Sequence, residues 1–247
     1  MAEDYIERLY RALKENNADF AYCGFVEWYS AEKTIARTLP EGIYTKAEWV
    51  KEHLLRRPNM WCGIYKKSII EKFNIEFDIL LRRMEDGCFV TDYIVCCEKI
   101  VAIKDCLYFY YQRDNSVIHE YRAQTLLGVE RDMYIWDKLY AAFLRSDVDK
   151  DIYMPSFYQA WSTFMIREAI NFTHHKHPSD RREKRRLMKE AMAVSKIQKK
   201  LCLIDKEKIS ITQRLFVRWI KKERIKIMLF YGRTFNFLRR LKQRIRG

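Results

Sequence analysis

The chain has 247 residues, of which 49% are hydrophobic, 15% aromatic and 32% charged, and its formal net charge is +14. This composition excludes a disordered chain, because a sequence this apolar can bury enough surface to offset the entropy lost on folding. Glycine and proline number only 7 and 4, which excludes a turn-rich β-sandwich and favours helix. No apolar run reaches the ~18–20 residues needed to cross a bilayer, so an integral membrane protein is also excluded.

Seven cysteines are scattered through apolar stretches, and none lies in a C-x-x-C pair. This number and spacing suit neither a disulfide framework nor a zinc site. The first residues have neither a basic flank nor an apolar run, so no secretory signal is predicted. We therefore expect reduced core thiols in a cytoplasmic protein.

The first 118 residues alternate helix and strand signals. A capping residue, Asp4, precedes a helical pattern that ends at 16–17, with apolar positions at Ile6, Leu9, Tyr10 and Leu13. An aromatic, β-favouring run over 19–29 predicts a strand.

The alternation continues after this strand. Thr45 and Glu48 have the spacing of a capping box and predict a helix that ends before Pro58. The elements expected next are an extended segment over 60–65, a short helix over 68–73, a helix over 86–98, and two β-rich runs over 100–103 and 107–112.

From residue 119 onward the pattern is helical, with breaks expected near 146–150, 177–179 and 202–206. The predicted fold class is α/β with a mixed sheet, followed by an all-helical C-terminal extension. The predicted division is an α/β part over 1–118, a helical extension over 119–180 and a basic amphipathic helical tail over 181–247.

Three motifs follow one another in the α/β part. They are a tryptophan followed by Ile-Tyr-Lys-Lys-Ser within 61–68, a Glu-Asp pair with phenylalanine three residues on within 85–89, and a strand ending in Tyr-Tyr-Gln-Arg at 110–113. This order resembles the C-terminal, acceptor-side half of family 2 glycosyltransferases of the GT-A fold, which build bacterial surface polysaccharides. The resemblance covers about residues 3–118 and implies a partial GT-A fold.

The resemblance implies transfer of a sugar from a nucleotide-sugar donor to a saccharide or lipid-linked acceptor. It implies that Asp86 is the base that takes the proton of the acceptor hydroxyl, and that Glu85 positions the acceptor or the loop. A helix start favours carboxylates through its macrodipole. The alternative is therefore that Glu85 and Asp86 only cap the helix.

Three further residues are candidates for substrate binding. Trp61 is either a platform on which the apolar face of an acceptor sugar stacks or a core residue. Arg113 and His119 follow the tyrosine-rich strand, where family members bring a basic or histidine residue to the diphosphate and metal; the alternative is a surface or core role. The family uses a divalent cation, Mn²⁺ or Mg²⁺, but no metal ligand is assigned in this sequence.

The N-terminal half of the family, with its nucleotide-binding loop and most of the Asp-x-Asp segment that precedes the first helix, is not part of this sequence. We therefore expect a truncated or split enzyme, or a misplaced start. A GT-A enzyme without that half has no place to hold the donor's diphosphate. The alternative function is a non-enzymatic, membrane-associated remnant or subunit without a donor site.

The excess positive charge lies in the last quarter of the chain. Residues 181–247 contain 23 basic and 5 acidic residues, a net charge of +18, whereas the preceding residues contain 24 and 28, a net charge of −4. An anionic partner is therefore expected for the tail alone. Nucleic acid is disfavoured, because no helix-turn-helix, zinc or RNA-binding motif accompanies the charge.

The tail combines these charges with apolar side chains at helical spacing. Leu215, Phe216, Trp219 and Ile220 form one predicted patch, and further patches follow within 225–230 and 238–245. This pattern is typical of a helix in a membrane interface and predicts a peripheral location on the cytoplasmic face of an anionic membrane. The alternative is that the patches pack on the body of the protein.

Overall fold

The computed structural model describes residues 1–54, 59–81, 83–112, 121 and 123–246. Its contacts divide the chain into two compact units: Met1–Glu120 with Asp137–Tyr153, and Tyr121–Trp136 with Met154–Gly247. The three-part division expected from the sequence stays a prediction.

The first unit contains a mixed sheet with helices. The strands are β1 (Phe20–Trp28), β2 (Thr34–Arg37), β3 (Gly42–Thr45), β4 (Gly63–Tyr65) and β5 (Lys99–Tyr111). The helices are α1 (Tyr5–Glu15), α2 (Lys46–His53), α3 (Lys67–Phe73) and α4 (Glu85–Ile94). The strand order is β2-β1-β5-β3, and β4 pairs with the beginning of β1. Strands β1 and β5 are parallel, and the other pairs are antiparallel.

The structure confirms most elements predicted for this unit. The capping box that begins α2 is formed, with the Thr45 hydroxyl accepting from the Glu48 amide and the Glu48 carboxylate accepting from the Thr45 amide. The extended segment expected over 60–65 is only half right, because a 3₁₀ turn over Met60–Cys62 precedes β4. Helix α4 ends at Ile94, four residues earlier than predicted. Residues 55–58, including the predicted stop at Pro58, lie outside the described residues.

Helix α1 packs on the sheet through a face that differs from the predicted one. Leu9 and Leu13 are buried as expected, together with Tyr5 and Ala12, in a cluster with residues of β1 and β5. Ile6 and Tyr10 were expected on the same face but are exposed. The buried set shares Leu9 and Leu13 with the predicted set, and at 100° per residue its centre lies about 65° around the helix from the predicted centre. Asp4 precedes the helix, but its side chain makes no capping hydrogen bond.

Strand β5 is continuous, although the sequence predicts two runs separated by 104–106. Tyr22 pairs with Ala102 and Gly24 pairs with Cys106. A step of two residues along β1 therefore corresponds to a step of four residues along β5. The polar residues therefore stay within the strand as a bulge. A Cβ added at Gly24 would lie 2.6 Å from the Arg37 carbonyl oxygen and 2.8 Å from the Cys106 sulfur, so this close approach requires glycine.

Asp19, which precedes β1, joins the ends of four elements. Its carboxylate accepts hydrogen bonds from the Lys66 ammonium and the Glu98 amide, both at 2.8 Å, and its carbonyl accepts from the Tyr93 hydroxyl at 2.7 Å. Burial alone would raise the pKa of Asp19. The hydrogen bonds from Lys66, Glu98 and Lys99 outweigh burial and hold this pKa below its ordinary value. The starts of β1 and β5 and the ends of β4 and α4 therefore meet at this junction.

The remainder of the chain is helical. Its helices are α5 (Leu126–Leu144), α6 (Lys150–Phe172), α7 (Arg181–Ala193), α8 (Ser195–Leu203), α9 (Ile211–Lys221) and α10 (Ile225–Arg246). The three predicted breaks are confirmed, and with the sheet they confirm the predicted fold class. Two further breaks were missed, at Val194, where ψ is 126°, and near Glu223, where φ is 48°.

The apolar patch predicted on α9 does not face solvent as a whole. Phe216 is fully buried and its ring packs against Trp219 and Tyr231, while Leu215 remains 40% exposed. The interpretation of Phe216 as a membrane-facing residue is therefore wrong. Among the helices of the described ranges, none combines the length and the apolar character needed to cross a membrane.

We expect Asp19→Asn to lower the free energy of unfolding by about 1–3 kcal/mol near neutral pH, because the donors around it lose a charged acceptor. The pKa of Asp19 is lower in the folded chain than in the unfolded chain. Its stabilisation is therefore present above the ordinary aspartate pKa and lost as the pH falls through the folded value. Urea unfolding at neutral and at strongly acidic pH measures both effects.

Asp149→Asn is the matched control, because its exposed carboxylate accepts from the Asp151 amide and asparagine can replace it there. At neutral pH the free energy of unfolding of Asp19→Asn should be lower than that of this control, and the difference is expected to shrink in acid. A deficit that is the same at every pH would contradict the assigned role of Asp19.

Candidate active site

Helix α4 begins directly at the Glu85–Asp86 pair. The preceding residue, Met84, has a φ of 61° and lies in the left-handed region. A residue with a side chain adopts this conformation at a cost of about 1–2 kcal/mol. The chain thus turns sharply into the helix and places both carboxylates in the first turn, where free amides and the macrodipole favour negative charge.

Aromatic contacts fix this helix in place. Phe89 stacks on Phe77, with ring centroids 4.6 Å apart and an interplanar angle of 9°. Tyr65 of β4 packs edge-on against Phe89 at 5.7 Å and against Tyr93 at 4.9 Å. Because Phe89 and Tyr93 are four residues apart, they share one face of α4. The phenylalanine three residues after Asp86 therefore anchors the turn that carries the pair.

Asp86 combines a capping contact with a position near the aromatic cluster. Its Oδ1 accepts a hydrogen bond from the Gly87 amide at 2.6 Å. Burial raises the pKa of Tyr65, and the negative charge of Asp86 is close enough to add to this effect. The Tyr65 hydroxyl donates to the Met60 carbonyl at 2.9 Å. Asp86 thus satisfies an amide of the helix start and also lies near the turn that leads into β4.

Glu85 carries the most unusual polar atom of this region. Its Oε2 is buried and has no hydrogen-bond partner among the described residues. A buried carboxylate oxygen without a partner lowers stability. Such atoms call for an explanation, and a ligand that donates a hydrogen bond provides one. Capping alone does not account for Glu85.

Trp61 lies in an aromatic cluster of the sheet. Its ring stacks on Tyr110 at 5.2 Å and 11°, lies 4.3 Å from Tyr108, and meets Phe25 edge-on at 5.0 Å. The Tyr5 hydroxyl donates to the Trp61 carbonyl at 2.9 Å. These contacts fit the core alternative, and the platform for an acceptor sugar stays a prediction.

Arg113 and His119 lie outside the described residues, so their roles stay predictions. Across the described ranges, no group of three or more His, Cys, Asp or Glu side chains is placed to hold a metal ion.

All seven cysteines are free, as predicted, but Cys202 is exposed rather than part of the core. Burial raises the pKa of the Cys23 thiol to about 11.

A second polar region, which the sequence did not indicate, lies at the other end of α4. A cavity of about 710 Å³ is lined there by ion pairs and by residues of 73–78. The pairs are Lys46–Asp147 at 2.5 Å, Lys138–Asp78 at 3.1 Å and Arg145–Asp92 at 3.0 Å. Each cation faces a carboxylate, so we assign these pairs to holding the first unit together. The two residues of each ion pair are distant in sequence and follow neither the helical nor the strand period, so the sequence pattern did not predict these pairs.

Comparison with known family models gave no match, and comparison with curated proteins gave none. Among solved structures, the fold is similar to that of TarS from S. aureus. TarS 1–349 in complex with UDP-GlcNAc matches with a TM-score of 0.59 and 10% identity, covering 94% of this chain and 63% of that chain. TarS 1–349 without a named ligand matches with a TM-score of 0.62 and 10% identity, covering 94% of this chain and 62% of that chain. The complex of TarS 1–349 with UDP matches with a TM-score of 0.52 and 12% identity, covering 93% of this chain and 61% of that chain.

The chain therefore spans less than two thirds of the length of the TarS structures it matches. At this identity the likeness shows the fold alone. It confirms the predicted α/β fold with a helical C-terminal part. The assignment to family 2 stays a prediction.

We expect Glu85→Gln to raise the free energy of unfolding by about 1 kcal/mol, because an amide is less costly to bury than an unpaired carboxylate. Thermal unfolding followed by circular dichroism measures the change. The matched control is Glu183→Gln, a first-turn carboxylate of α7 that accepts from Arg186 at 2.6 Å, and this variant should be slightly less stable. A loss of stability in Glu85→Gln would show that Glu85 is a structural cap and would contradict its assignment to a site.

Proposed function

We propose that the chain takes part in glycosyl transfer, moving a sugar from a nucleotide-sugar donor to a saccharide or lipid-linked acceptor in surface polysaccharide synthesis. The observation that carries the proposal is the Glu85–Asp86 pair at the start of α4, with one buried oxygen that has no partner among the residues that the structure describes. The likeness to TarS supports it, since one TarS structure is a complex with UDP-GlcNAc. The order of motifs in 61–113 supports the same class of reaction.

Asp86 acts as the general base in this proposal. Its carboxylate takes the proton of the acceptor hydroxyl while that oxygen forms a bond to the anomeric carbon of the donor. The bond between the anomeric carbon and the diphosphate oxygen breaks, and the nucleoside diphosphate leaves with the electron pair. The Oε2 of Glu85 accepts a hydrogen bond from a substrate hydroxyl, which orients the acceptor for the attack.

The resemblance also implies Mn²⁺ or Mg²⁺ at the donor's diphosphate, with Arg113 and His119 nearby. The described side chains do not form a three-ligand metal site, so we derive no step through a cation. Arg113 and His119 enter the proposal as contacts to the diphosphate, and Trp61 as a contact to the acceptor, through the resemblance alone.

A non-enzymatic subunit without a donor site is the second candidate. The chain spans 63% of the TarS structure that holds UDP-GlcNAc, and binding of a nucleotide sugar by the chain itself distinguishes the two candidates. Isothermal titration of the full chain with UDP-GlcNAc and with UDP, each with and without Mn²⁺, separates the two. Binding supports glycosyl transfer, and no heat with either ligand supports the subunit.

Asp86→Asn removes the base and keeps the shape of the side chain. We expect the rate of sugar transfer to fall by about 10²–10⁴-fold, the range typical of a lost general base. The affinity for UDP-GlcNAc should not change, because Asp86 faces the acceptor. UDP release in the presence of a panel of saccharide acceptors measures the rate.

Asp180→Asn is the matched control, because Asp180 is also a carboxylate at a helix start and asparagine caps as well. This variant should retain full activity. Transfer by Asp86→Asn at the rate of the control would exclude Asp86 as the base.

A further inference from the structure

Helix α10 has an inner face that packs against other residues of the second unit. The buried residues of this face are Ile225, Met228, Leu229, Gly232 and Asn236. A Cβ at Gly232 would lie 2.3 Å from the Ala169 carbonyl oxygen, and the Asn236 amide donates to the Ile170 carbonyl at 2.8 Å. These contacts with α6 fix which side of α10 faces outward.

The opposite face of α10 is also apolar. We define the outer stripe as Ile227, Phe230, Phe237, Leu238 and Leu241, whose exposed fractions range from 42% to 63%. At 100° per residue these positions fall on the side opposite the buried set. No element within the described ranges covers the outer stripe, so α10 is apolar on both sides. Large exposed apolar patches of this kind mark interaction surfaces.

Basic side chains flank the outer stripe. Lys226, Arg233 and Arg240 are spaced by seven residues and therefore line one edge of it, and all three are exposed. Residues 225–242 contain no acidic residue. Phosphate groups alone would account for the cations but would leave the phenylalanine, leucine and isoleucine side chains in water. A surface that offers anionic groups above an apolar phase satisfies both features.

We propose that the outer stripe of α10 docks on the surface of an anionic lipid bilayer, with the helix lying in the plane of the interface. Phe230 and Phe237 enter the acyl region, and the flanking cations contact lipid phosphates. The proposal confines the membrane contact predicted for the tail to α10, because Phe216 of α9 is buried. It does not depend on glycosyl transfer.

Co-sedimentation of the full chain with vesicles tests the proposal. Vesicles of equal parts phosphatidylcholine and phosphatidylglycerol should bind the chain at low salt and release it as salt screens the charges. Pure phosphatidylcholine should bind it far less. The double variant Phe230→Ser with Phe237→Ser should bind anionic vesicles roughly tenfold or more weakly, since two phenylalanines no longer leave water. The matched control is Ile211→Ser, a 73% exposed apolar residue of α9, which should bind like the unchanged chain.

Two variants that lose the same number of charges distinguish binding through the outer stripe from general attraction of a basic protein to an anionic vesicle. The first replaces Lys226, Arg233 and Arg240 with glutamine, and the second replaces Lys199, Lys206 and Lys208, which are also exposed. Both lose three charges. We expect the first to weaken binding by about two orders of magnitude and the second to have a much smaller effect, because each basic residue acts close to the lipid surface.

Three results would overturn the proposal. They are no binding to anionic vesicles at low salt, equal weakening by the two charge variants, and concentration-dependent self-association that the double phenylalanine variant abolishes. The last result, measured by sedimentation velocity, would assign the outer stripe to a second copy of the chain. Thermal unfolding of each variant checks that the exposed substitutions leave the fold intact, so that a loss of binding reports on the outer stripe.

Discussion

The first unit depends on one residue, Asp19, whose carboxylate and carbonyl accept hydrogen bonds from three separate parts of the chain. Asp19 accepts from Lys66, which follows β4, and from the amides that lead into β5, while Tyr93 near the end of α4 donates to its carbonyl. The Tyr93 hydroxyl in turn accepts from the Lys66 amide at 2.7 Å. Local sequence cannot bring these segments together, because they lie 47 to 80 residues apart. The junction therefore sets the position of α4 relative to the strands.

Helix α4 is consequently held at both ends, and its unfavourable features are confined to its beginning. The Asp19 junction fixes the last turn, and the stack of Phe89 on Phe77 fixes the first. Between these anchors the helix tolerates a left-handed Met84 and an oxygen of Glu85 that has no partner within the described ranges. Strain and unsatisfied polar atoms persist where the surroundings over-determine the local structure, and they cluster at functional sites. The Glu85–Asp86 turn meets this description, and the capping contact of Asp86 alone does not explain it.

The elements that the sequence predicts well are those with a local cause. The capping box at Thr45, the aromatic strand β1 and the order of motifs around Asp86 were all readable, because each follows from neighbouring residues. The continuity of β5 could not be predicted from the sequence, because its bulge depends on the register with Gly24 of β1. The burial of Phe216 and the two-sided character of α10 likewise depend on which helix face meets α6. The unpaired oxygen of Glu85 gives no sequence signal, because satisfaction of a polar atom is a property of the packed structure.

The central claim is that the first turn of α4 is the reacting end of a glycosyl-transfer site. A crystal structure of the full chain soaked with UDP-GlcNAc tests it most directly. The account predicts density for the donor sugar beside this turn, with room for an acceptor whose hydroxyl groups reach the carboxylates of Glu85 and Asp86. Density for the nucleotide sugar at a place remote from α4, with the Glu85 oxygen still buried against protein, would contradict it.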